Sequence, residues 1–210
     1  TGAGRLFDVD VRLRPDGAKG LLVSSIASFA EYQRERAWTW EHQALARARW
    51  VAGDAALGKR YREVRLEVLS RPREEAALRT DVSDMRQRMR RELDRSTPAL
   101  FDLKQGEGGL VDLEFLLQYL ILRDGARAPE LAMPRATPGM LDAALAAGSV
   151  DADCHARLLA AHALMLDAGL RCTLDRRPRQ VPYDPGIEQA RASVRAAVRA
   201  FGLAVDAAAT

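Results

Sequence analysis

Apolar and polar side chains alternate along residues 6–13. Phe7, Val9, Val11 and Leu13 fall on one side and Asp8, Asp10, Arg12 and Arg14 on the other, which is the period of two of a strand. Pro15, Asp16 and Gly17 then signal a turn, and residues 21–23 are short and apolar enough to predict a second strand. Beyond them the spacing becomes helical. Ser28 with Glu31 fits a capping box that opens a helix carrying Phe29 and Tyr32. A helix is predicted over residues 39–52, with Gly53 as its left-handed end and Asp54 as the cap of the next helix, which runs to Ser70. Pro72 suits a first turn, with Glu74 and Glu75 at the positive end of the helix dipole.

Leu78, Val82, Met85, Met89 and Leu93 step by four or three and predict one buried stripe. Residues 101–104 read as short and extended, and residues 110–122 are apolar nearly all round, the mark of a buried helix. Pro129, Pro134 and Pro138 mark a loop. Two or three further helices follow, the last with Ile187, Val194, Val198 and Phe201 on one face. The fold class is therefore mainly α (α+β), a strand or hairpin followed by a bundle of seven or eight helices. An isolated hairpin is marginal in water, so the opening strand is expected to belong to a larger sheet.

Composition narrows the classes of function. The chain has 210 residues, 48% of them hydrophobic, and can bury a core. No stretch approaches a membrane span, and no charged region followed by an apolar run opens the sequence, which predicts a cytoplasmic protein without membrane attachment. Net charge is only +3, and the basic run at residues 86–95 is interrupted by Glu92 and Asp94. That pattern argues against a nucleic-acid partner, which gathers uncompensated basic residues on one face. Cys154 and Cys172 are too few for a disulfide framework, and on one helix they would lie about 27 Å apart. They are read as reduced thiols.

Three stretches could carry chemistry. Asp8 and Asp10 point the same way from one strand, and two carboxylates so close favour a cation between them. Oxygen ligands alone suit Mg²⁺ or Mn²⁺. The plainer alternative is a solvated face neutralised by Arg12 and Arg14. Residues 38–49 read WTWEHQALARAR, in which the tryptophans are assigned to the core, the arginines to the surface, and the lone His42 to no metal. Residues 101–115 read FDLKQGEGGLVDLEF. Here Gly108 and Gly109 lead into a helix whose free N–H groups and dipole could hold an anion, with Lys104 beside them. Asp112 and Glu114 interrupt the apolar helix roughly 200° apart, so each needs its own partner or faces a cleft. Pairing with buried arginines and a supporting role in a site stay equally open for them. The Gly148-Ser149 and Asp151-to-Asp153 run mimics a nucleotidyltransferase motif at the wrong spacing and reads as a helix cap.

In order and spacing, LFDVDVRLRP at residues 6–15, the run at 38–49 and the run at 106–115 resemble the glutamine synthetase adenylyltransferase family. The wording of the last two is closer to its C-terminal, adenylylating half. The resemblance implies a polymerase-β-like nucleotidyltransferase core ending near residue 24, and a helical domain over residues 25–210. It implies transfer of AMP from ATP to a tyrosine of glutamine synthetase, under control of the PII signalling protein and glutamine. Asp10 matches the third metal-binding acid of the family, with Asp8 assisting. Arg12, Arg14, Lys104, Gly108 and Gly109 become candidates for nucleotide contacts, and Asp112 and Glu114 for support behind them. The first two acids have no counterpart here, so the 210 residues alone are expected to lack transferase activity. Rival readings are the deadenylylating half, a related uridylyltransferase, or a helical docking module for glutamine synthetase or PII.

Overall fold

The computed structural model describes residue 11 and residues 14–203. The expected strand at residues 6–13, with Asp8, Asp10 and Arg12, lies outside the described residues, Val11 alone excepted.

Around the Asp16 turn the chain forms a single 3₁₀ turn, Gly17–Lys19. The second strand expected at residues 21–23 is not formed. Leu21, Leu22 and Val23 are irregular and 81%, 66% and 80% exposed, having no neighbouring strand among the described residues to pair with. Helix α1 spans Ile26–Glu35 and is capped by Ser25, whose hydroxyl accepts the Ser28 N–H, rather than by Ser28 itself. Helix α2 is Thr39–Arg47. At its start Glu41 reaches back to accept the Trp38 N–H at 2.9 Å and also takes the Tyr32 hydroxyl at 2.8 Å, tying α1 to α2.

Helix α2 stops five residues short of the expected Ala52. The buried Arg65 of helix α3 (Ala55–Leu69) donates Nε to the Leu45 carbonyl and Nη2 to that of Ala46, satisfying the last turn from outside. The chain then leaves in an extended conformation at Ala48 and lays Trp50 over Gly58, where a Cβ would meet the indole at 2.7 Å. Gly53 consequently precedes the Asp54 cap of α3 instead of ending α2. Burial of the two tryptophans, also expected, does not occur: Trp38 is 71% exposed and Trp40 41%. The buried face of α2 is Glu41, His42, Gln43, Leu45 and Ala46. His42 donates Nε2–H to the Gln33 carbonyl at 2.9 Å, and burial lowers its pKa to about 4, keeping it neutral.

Helix α4 covers Glu75–Leu93. Its cap is Glu74, whose carboxylate accepts the N–H groups of Ala76 and Ala77, so Pro72 lies before the helix and not in its first turn. Leu78 and Val82 are buried as expected, but the stripe does not continue through Met85, Met89 and Leu93. The other buried positions of the helix are Ser83 and, one turn beyond Val82, Arg86, while Leu93 is exposed.

Helix α5 (Leu110–Asp124) is the central element, with eleven buried residues including Leu113, Leu116, Leu117, Tyr119 and Leu120. Helices α6 (Thr137–Ala146), α7 (Ala152–Leu174) and α8 (Pro185–Ala200) complete the bundle, and Pro138 opens α6 rather than lying in a loop. Asp151 caps α7, which carries both free cysteines. Two short strands, β1 (Leu100–Asp102) and β2 (Gln180–Pro182), pair antiparallel with Phe101 opposite Val181. Among the described residues, no helix is long and apolar enough to cross a membrane.

Candidate functional site

The candidate residues fall on two parts of the molecule. Arg14 belongs to the first. It donates to the carbonyls of Val11 and Gly20, and the turn it closes is held against α1 by an ion pair between Asp16 and Arg36 at 3.6 Å. Arg14 borders a half-open pocket of about 280 Å³ between α1, α2 and α3, walled by Phe29, Leu45 and Tyr61. Gln33 also lines it, and its Oε1 is buried without a hydrogen-bond partner among the described residues.

The second part is the glycine-rich turn between β1 and α5. The Asp102 carboxylate organises it by accepting the N–H groups of Lys104 and Gln105, each at 2.9 Å, and of Arg95 at 3.2 Å. Gly109 N–H bonds the Gly106 carbonyl, Leu110 that of Leu103, and Val111 that of Lys104. Gly108 donates to the Asp112 carboxylate at 2.6 Å. The expectation of free N–H groups at this turn is therefore not met. The amides are taken by the chain itself, and Asp112 in the first turn of α5 already neutralises the positive end of the dipole.

Gly108 is needed for two reasons. Its φ of +82° is left-handed, and a Cβ there would lie 2.7 Å from the Arg191 carbonyl of α8. Gly109 is equally crowded, 2.8 Å from the Gly106 oxygen.

Asp112 is 3% exposed and bonds Arg86 Nε at 2.5 Å and Arg90 Nη2 at 2.9 Å, so the pairing with buried arginines is realised. Arg86 also reaches the Gln105 carbonyl at 2.7 Å, binding α4, the turn and α5 into one network. Burial pulls the Arg86 guanidinium below its ordinary pKa, and Asp112 opposes that pull. Glu114 points elsewhere, as the angular spacing requires, and pairs with Arg47 of α2 at 3.0 Å on the surface.

Lys104 is exposed and borders a hollow with Arg95, Asp102 and Arg179, which shares no residue with the Arg14 pocket. The structure thus brings Lys104, Gly108, Gly109 and Asp112 to one turn and leaves Arg14 on another. Asp8, Asp10 and Arg12 lie outside the described residues, and among those described no group of three or more His, Cys, Asp or Glu could hold a metal. Sequence reasoning missed Arg86, Arg90 and Gln105. The available signal was that Leu78, Val82, Arg86 and Arg90 step by four.

Comparison with known proteins supplies the frame for these residues. The family described as glutamate-ammonia ligase adenylyltransferase matches residues 1–64. A protein of Stenotrophomonas maltophilia named bifunctional glutamine synthetase adenylyltransferase/adenylyl-removing enzyme is 58% identical over 203 residues, 97% of this chain and 22% of that protein. The chain belongs to the glutamine synthetase adenylyltransferase family. Proteins of the same name from Xanthomonas axonopodis pv. citri and Shewanella loihica are 57% identical over 97% of the chain and 43% identical over 88% of it, covering 22% and 19% of their own lengths. The chain thus spans about a fifth of the length of these adenylyltransferase relatives.

Proposed function

We propose that this chain is part of the adenylylating half of an enzyme that transfers AMP from ATP to a tyrosine of glutamine synthetase. In this reading residues 1–24 finish a polymerase-β-like nucleotidyltransferase core, and residues 25–210 are the helical domain beside it. The observation that carries the reading is the 58% identity over 203 residues with a protein whose name joins adenylyl transfer to glutamine synthetase. The choice of half rests on the wording of the runs at 38–49 and 106–115. Control by PII and glutamine follows from the same resemblance.

Asp10, with Asp8 assisting, is the proposed holder of a divalent cation, Mg²⁺ or Mn²⁺. Held by Asp10 and Asp8, the cation would supply charge neutralisation at the triphosphate oxygens and would ease departure of pyrophosphate. Arg12 and Arg14 neutralise phosphate oxygens from the protein side. Two features support a nucleotide near Arg14. The aromatic walls of Phe29 and Tyr61 suit the faces of a base, and the unpartnered Gln33 Oε1 is an acceptor for an exocyclic amine. The Asp102 and Asp112 networks serve as the rigid support, with Gly108 and Gly109 shaping the turn. Lys104 borders a separate hollow with Arg95, Asp102 and Arg179.

Manganese binding to the full-length protein, followed by electron paramagnetic resonance, tests the assignment. Asp10→Asn should release bound Mn²⁺ into solution at concentrations where the unaltered protein holds it. Equal binding by both would remove Asp10 from the metal site.

A further inference from the structure

Beside the Asp112 network lies a small cavity of about 40 Å³, enclosed by α4, α5 and α8. A water needs roughly 10–15 Å³ measured this way, so the space holds about three waters. That is enough for a phosphate-sized ion and too little for a nucleotide.

The lining is unusually basic for so small a space. Arg86 and Arg90 enter from α4, and Arg195 and Arg199, one turn apart, enter from α8. The carboxylates present are those of Asp112 and the exposed Glu107, an excess of two positive charges. Asp112 cannot absorb the excess, because it already accepts from Arg86, Arg90 and the Gly108 N–H. Among the described residues neither Arg195 nor Arg199 has a carboxylate within ion-pair distance, and Arg90 Nε is buried with no hydrogen-bond partner. Gln87 adds a neutral amide at the wall, and Phe115 an apolar floor. Four arginines lining one partly enclosed space can supply the several N–H donors that a tetrahedral, multiply accepting oxyanion takes.

We propose that this cavity binds a phosphate-sized, doubly charged oxyanion, either free inorganic phosphate or a phosphoryl group at the end of a larger molecule. Bound there, the ion bridges Arg90 of α4 to Arg195 and Arg199 of α8. It offsets their mutual repulsion and fastens α8 to the body of the bundle. The inference stands whichever reaction the chain serves.

Calorimetric titration of the 210-residue chain with sodium phosphate, at constant ionic strength in chloride, tests it. Saturable binding is expected, with acetate, a single charge, binding at least about tenfold more weakly. Because Arg195 is half-buried and Arg199 exposed, the double variant Arg195→Gln/Arg199→Gln should fold, with phosphate affinity lowered at least about tenfold. The control pair Arg157→Gln/Arg171→Gln on α7, whose arginines answer Asp153 and Asp167, should bind as the unaltered chain does. A separate reading needs no variant: Nε–H resonances of Arg90 and Arg195 should shift during the titration while that of Arg171 stays. A phosphorylated small molecule such as phosphoserine, binding tighter than free phosphate, would identify the ion as a terminal phosphoryl group, and weaker binding would identify free phosphate. Absence of saturable phosphate binding, or equal weakening in both double variants, overturns the proposal.

Discussion

The surroundings of α5 and the stretch from residue 11 to residue 51 solve the same problem with opposite completeness. Around α5, apolar side chains are buried and the buried carboxylate of Asp112 is answered. Leu116 and Leu122 have no exposed surface, and Asp112 receives two guanidinium groups and an amide. In the earlier stretch Leu21, Leu22, Val23, Trp38 and Val51 stand at least 66% exposed, and Gln33 keeps a buried oxygen without a partner among the described residues. The helix bundle is stabilised by what it contains, whereas the earlier stretch leaves apolar side chains exposed and a buried amide oxygen unanswered among the described residues.

Removing a member of the closed network should do the most damage. Asp112→Ala leaves Arg86 buried opposite no charge and frees the Gly108 N–H, with an expected loss of about 3–5 kcal/mol in urea unfolding. A loss under about 1 kcal/mol would show that Asp112 does not organise the turn.

The buried His42 provides a second comparison, through pH. Its pKa falls from 6.5 to about 4 on folding, so the folded chain binds fewer protons than the unfolded chain between those values. Stability should therefore fall as pH drops from 6.5 towards 4, by at most about 3 kcal/mol. His42→Gln should flatten that slope, and an unchanged slope would place the titration elsewhere.

Gly108→Ala combines a left-handed backbone with a close approach to α8 and should cost about 2 kcal/mol, read from the same denaturation curves. Trp38→Ser sharpens the contrast from the other side. At 71% exposure it should change the stability of the 210-residue chain by less than about 0.5 kcal/mol. A large loss would mean that the tryptophan is packed after all.

Much of the scaffold could be read directly because its signals are local. The Asp54 and Asp151 caps, the buried helix α5 and the last helix's Ile187 and Val194 face all follow from residues within a few positions of one another. Most of the misreadings have non-local causes. Helix α2 ends at Arg47 because Arg65, far along the chain, takes its carbonyls. Strand β2 exists because it pairs with β1 across some eighty residues. Ser25 and Ser28 offer the same capping chemistry three residues apart, and local pattern chose the wrong one.

Of the site, the angular separation of Asp112 and Glu114 was legible, and so was the need for each to find a partner. The partners were not: an arginine that faces inward in mid-helix is indistinguishable from a solvated one until its carboxylate is located.

Turnover by the full-length protein carrying Asp10→Asn tests the functional reading most directly. AMP transfer to glutamine synthetase should collapse by several orders of magnitude in kcat, with the KM for glutamine synthetase little changed. Normal kcat with a raised KM would contradict it and would assign this part of the chain to docking instead of chemistry.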